Sequence, residues 1–142
     1  MDKLELTKEE YMEHVCNRVL RYFPRLTIEE LRSDIRTGEV VKARALAGYA
    51  IYFYREDLNM TEVGHYFRRA DHTATNYFVK ITNTVSMYDE KYHNIRANVK
   101  AYMVKNFGKM SPGKRYIYLK HEGKQFRIGL CSKQQPSPTF FV

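Results

Sequence analysis

A mainly α-helical fold is predicted by three observations. Polar caps repeatedly precede apolar residues at helical spacing, proline and glycine break the runs between them, and residues 59–81 read as two short helices joined by a tight polar turn. The expected architecture is a helix-turn-helix bundle extended by a C-terminal helix and a β-hairpin. With 142 residues and 44% hydrophobic content, the chain can bury one core. The expected division is a helical domain over 1–85, a basic helix-and-hairpin appendage over 86–132 and a flexible tail over 133–142.

Thr7-Lys8-Glu9-Glu10 is a capping box, in which the Thr7 hydroxyl and the Glu10 carboxylate bond each other's backbone N–H. The helix it opens carries Tyr11, Val15, Val19 and Tyr22 on one stripe, with Met12, Cys16, Leu20 and Phe23 beside it. Pro24 ends it. Thr27 starts a short capped helix that stops near Ser33, and the polar stretch from Asp34 to Gly38 reads as a loop. A long helix is expected from about Glu39 to Arg55. Its Ala43, Ala45, Ala47, Gly48 and Ala50 permit close helix contact, while Val40, Leu46, Ile51, Phe53 and Tyr54 supply bulk.

Asn59 caps the next helix, with Glu62 three residues on completing another capping box. Met60, Val63, Tyr66 and Phe67 share one face of it. Arg68-Arg69-Ala70 breaks the pattern, and Asp71 suits the cap of a following helix along which Ala74, Phe78, Ile81 and Val85 recur. Residues 59–84 thus form a helix-turn-helix, whose second helix characteristically enters the DNA major groove. His72, Thr73 and Thr75 stand at its start, able to bond base edges or phosphates.

The net charge of +8 and pI near 9.5 favour a polyanionic partner. Its distribution is uneven: −2 over residues 1–35, +2 over 36–85 and +8 over 86–142. Cys16 and Cys131 lie far apart in apolar settings and read as two buried thiols of a reducing compartment. The charged opening from Met1 to Glu10 is no signal peptide, and no apolar run approaches the ~20 residues needed to span a bilayer. The expectation is a cytoplasmic protein, in bacteria one of the cytoplasm or nucleoid, with no membrane partner.

The segment from Thr27 to Ile81 resembles the C-terminal duplex-binding domain of the bacterial replication initiator DnaA, a Trp-repressor-like helical fold. Four features carry the resemblance: T-I-E-E-L at 27–31, Arg36 followed by Lys42-Ala43-Arg44, T-E-V-G-H-Y-F at 61–67, and the Asp71-His72-Thr73 signature. The resemblance implies double-stranded DNA as partner, in replication or transcription control. It makes Arg36 the minor-groove reader, Asp71, His72 and Thr73 the major-groove readers, and Lys42 and Arg44 phosphate contacts. Arg68, Arg69, Thr75 and Asn76, which flank the signature, complete the expected contact set. The residue chemistry agrees. An arginine on a loop suits a narrow A·T-rich minor groove, and Asp and Thr can meet a cytosine amino group and a thymine methyl.

The chain also departs from the family. Arg68-Arg69-Ala70 stands where the family has Gly-Gly-Arg, so the turn lacks glycine's left-handed freedom. Ala74 and Thr75 replace a second hydroxyl residue and a valine, so the family's target sequence does not carry over. Only 26 residues precede the resemblance, so the family's ATPase module is not expected here. Gly108 to Arg115 nearly fits a phosphate-cradling loop, but Arg115 replaces the Mg²⁺-binding hydroxyl and Pro112 removes a cradle N–H. Neither nucleotide nor any other cofactor is expected. The five histidines lack metal-ligand spacing and neither cysteine has a local catalytic partner, so no enzyme is expected. A detached domain of this type would suit a phage, a mobile element or a host regulator.

Beyond the resemblance, residues 88–107 read as a helix with Tyr92, Ile95, Val99, Tyr102 and Met103 on one stripe and Lys91, Arg96, Lys100 and Lys105 largely off it. Arg115 to Leu130 reads as a hairpin turning at Glu122-Gly123, with one apolar face and one basic, aromatic face. Residues 86–130 therefore offer a second nucleic-acid contact or a protein-binding surface. The alternative function is an adaptor whose basic C-terminal unit binds an acidic partner or single-stranded nucleic acid.

Overall fold

The computed structural model describes residues 5–114, which are mainly helical. Six α-helices succeed one another: α1 (Lys8–Leu20), α2 (Ile28–Leu31), α3 (Gly38–Phe53), α4 (Met60–Tyr66), α5 (Thr73–Tyr88) and α6 (Glu90–Phe107). A turn of 3-10 helix (Pro112–Lys114) follows. The expected hairpin over 115–130, Cys131 and the tail over 133–142 lie outside the described residues.

The capping boxes form as the sequence predicts. The Thr7, Thr27 and Asn59 side chains accept from the N–H groups of Glu10, Glu30 and Glu62, and each glutamate returns the bond. α3 is the central helix: from Ala43 to Phe53 every residue is buried, because its neighbours cover it all round. α1 lays Tyr11, Val15, Cys16 and Val19 into the core. The Tyr11 hydroxyl donates to the Ile51 carbonyl at 3.0 Å. Burial pushes the Cys16 thiol up to about 12, so it packs as a neutral, unreactive group. α5 crosses α3 where Gly48 leaves room for the Phe78 ring, and a β-carbon there would collide with that ring.

Two boundaries differ from the expectation. α3 ends at Phe53 rather than Arg55, and α5 continues to Tyr88, where Asp89 caps α6 by accepting from the Tyr92 N–H at 3.1 Å. α6 is also more than an appendage. Tyr92, Ile95, Val99 and Met103 belong to the same hydrophobic cluster as α1 and α3, and the Tyr92 hydroxyl donates to the Lys42 carbonyl at 2.9 Å. A boundary at 85/86 therefore divides one core. No helix among the described residues is long and apolar enough to cross a membrane.

Candidate nucleic-acid interface

The turn between α4 and α5 is built by backbone bonds. The Arg68 N–H donates to the His65 carbonyl and the Arg69 N–H to the Gly64 carbonyl, both at 2.9 Å. These are the two bonds of a Schellman cap. The cap needs one left-handed residue, and Arg68 supplies it at φ 60°. The turn thus keeps the left-handed step without glycine, by bending an arginine into it. α5 then starts very close to α4, since a β-carbon on Gly64 would lie 2.5 Å from the Asp71 carbonyl oxygen.

Asp71 ties off the start of α5. Its Oδ1 accepts from the Thr73 N–H at 2.9 Å and from the Thr73 hydroxyl, and these bonds hold its carboxyl below the usual range. His72 is the residue just ahead of the helix, exposed and making no side-chain cap bond. The cap position expected of Asp71 falls on His72 instead, and Asp71, two residues ahead of the helix, closes a turn onto Thr73.

A cleft of about 460 Å³ runs between this end of α5 and the loop that precedes α3. Arg36, Arg69, Asp71, Thr73 and Tyr77 line it, with Arg44 behind them and Val41, Phe78 and Ile81 as its apolar part. Arg36 and the Asp71-Thr73 pair, 35 residues apart in sequence, thus share one opening. The site is electropositive. Burial pulls the Arg44 guanidinium down to about 10, and the charges of Arg69 and Arg36 act in the same direction. Arg69 is lowered by burial and by Arg36, with Asp34 opposing.

Several expected contacts fall elsewhere. Arg44 is not a surface cation: it is 4% exposed, and its Nε donates to the Leu31 carbonyl at 2.6 Å. Its Nη2 donates to the carbonyls of Glu30 and Ser33 at 3.2 and 3.1 Å. α2 is too short to satisfy its own last carbonyls, and Arg44 does so from α3. The phosphate contact expected of Arg44 is therefore withdrawn. Thr75 is likewise corrected. It is fully buried, and its hydroxyl donates to the Met60 carbonyl at 2.8 Å, joining α5 to the start of α4. Thr75 lies two positions past Thr73, on the inward side of the helix.

Lys42 pairs with Asp89 at 3.6 Å, at the far end of α5, and does not line the cleft. Asn76 is half-buried, and its own N–H bonds back to the His72 carbonyl at 3.4 Å. Arg68 is exposed beside the turn. Arg69 is half-buried, with its Nη1 donating to the Ser33 and Phe67 carbonyls at 3.1 and 2.7 Å. Lys114, the lysine of the near phosphate loop, is buried, with its Nζ donating to the carbonyls of Tyr52, Arg55 and Leu58 at 2.7, 2.6 and 2.5 Å. Its ammonium is spent inside the fold.

Tyr77 is the lining residue that sequence reading missed, exposed over 60% of its surface. Its position four residues after Thr73, on the same helix face, was the available signal. No protein-family model, curated protein or solved structure matches this chain. The structure defines a mainly helical protein with a basic cleft at the α4–α5 turn.

Proposed function

We propose that this chain binds double-stranded DNA sequence-specifically, through a Trp-repressor-like helix-turn-helix formed by α4 and α5. The leading end of α5 enters the major groove, with Asp71, His72 and Thr73 at base edges. Arg36 enters the adjacent minor groove from its loop. Arg68 and Arg69 neutralise phosphates beside them. The resemblance to the DnaA duplex-binding domain suggests this arrangement, in replication or transcription control in the cytoplasm or on the nucleoid.

One observation carries the reading: Arg36 opens onto the same cleft as Asp71 and Thr73, with the His72 imidazole exposed next to them. A loop cation and a helix end so placed can address neighbouring grooves of one duplex. Selection of bound duplexes from a random pool, followed by Arg36→Ala and His72→Ala, tests it. Each substitution is expected to cost about 1–3 kcal/mol on the selected site and far less on random DNA. Equal losses on both kinds of DNA would reduce the reading to generic basic attraction. No loss in either variant would favour the adaptor.

A further inference from the structure

We propose that the cleft seats a single sugar–phosphate strand of the duplex, and that the Tyr77 hydroxyl donates a hydrogen bond to one of its phosphate oxygens. This rests on the DNA reading above and names what fills the space between its two groove contacts. In a duplex, the minor and major grooves are separated by one backbone strand. If Arg36 occupies one groove and the leading end of α5 the next, that strand must pass between them. What lies between them on the protein is the cleft, which both ends line.

The walls suit such a strand. Arg36 and Arg69 line it and Arg44 stands behind, three guanidiniums against the carboxylates of Asp34 and Asp71. Asp71 is turned to the Thr73 N–H and hydroxyl, which occupy one of its two carboxylate oxygens. Val41 and Ile81 offer apolar surface to deoxyribose. Tyr77 supplies the remaining element. It is outside the hydrophobic cluster and mostly exposed, so the core does not explain it. A phenol is a neutral donor on a stiff side chain, and phosphate contacts from such donors fix a protein's register on the duplex.

The test uses the full chain and the duplex it selects. Tyr77→Phe removes only the hydroxyl from an exposed site, and thermal melting should match the parent protein. Its affinity for the selected duplex should fall roughly three- to tenfold. Single methylphosphonate substitutions along both strands then locate the partner. In the parent, one neutralised position on the strand between the grooves should weaken binding, and in Tyr77→Phe that same position should cost clearly less. Parental affinity in Tyr77→Phe overturns the proposal, and so does an unchanged loss at every phosphate. If Arg36→Ala loses affinity on the selected site and far less on random DNA while Tyr77→Phe loses none, the DNA reading stands and only the strand seat fails. If the parent selects no duplex at all, the DNA reading fails and takes the seat with it.

Discussion

The α3–α4 and α4–α5 corners solve the same problem in opposite ways. Each follows a helix whose last carbonyls need donors. At the first, Lys114 reaches in from the 3-10 turn and gives its ammonium to three carbonyls, while the Ser111 N–H donates to the Phe53 carbonyl at 2.8 Å. At the second, the backbone caps itself through Arg68 and Arg69, and the side chain of Arg68 stays at the surface. Positive charge is therefore not one resource in this molecule. Lys114 and Arg44 are internal donors, whereas Arg36 and Arg68 are available to an outside anion.

That contrast can be broken by substitution. Arg44→Met should be the most damaging, because it removes the buried bond to the Leu31 carbonyl and one of the bonds to each of the Glu30 and Ser33 carbonyls, at an expected cost of about 3 kcal/mol. Lys114→Met should cost about 2–3 kcal/mol for the same reason at the other corner. Arg36→Ala should stay within about 0.5 kcal/mol, since it is exposed. Urea unfolding measures all three, and equal costs would erase the distinction between internal and external cations. Gly64→Ala should cost about 1–3 kcal/mol, as the new methyl meets backbone rather than a movable side chain. Any folded fraction of that variant should also lose duplex affinity, because α5 must shift. Thr75→Val, which keeps the shape but removes the buried bond to the Met60 carbonyl, should cost about 1 kcal/mol without changing DNA preference.

The helices were legible because their causes are local. A capping box is four consecutive residues, and Thr7, Thr27 and Asn59 each announced a start that the structure reproduces. The role of a cation was not legible, because it depends on which carbonyls lie across the fold. Nothing near Arg44 in sequence shows that α2 ends beneath it, and nothing near Lys114 shows that residues 52–58 turn toward it. Thr75 failed differently. Its inward direction follows from helical periodicity once α5 is placed, and it is two residues from Thr73. The same reasoning would have kept Tyr77, which lies four residues on.

The smallest expected effect concerns the open corner itself. Arg68 holds a left-handed conformation that costs a non-glycine residue roughly 1–2 kcal/mol. Arg68→Gly removes that cost but adds unfolded-state entropy worth about 0.5–1 kcal/mol, so a net gain of about 0.5 kcal/mol is expected in urea unfolding. The sealed corner offers no such gain, since Lys114 makes three bonds there that its removal leaves unmade. If Arg68 is a phosphate contact, the same variant should bind DNA more weakly on specific and random duplexes alike, with a salt slope reduced by about one. A more stable protein with weaker binding would mean that the arginine is kept at this strained position for its charge. A more stable protein with unchanged binding would leave Arg36 and Arg69 as the cations that matter, and confine the interface to the cleft.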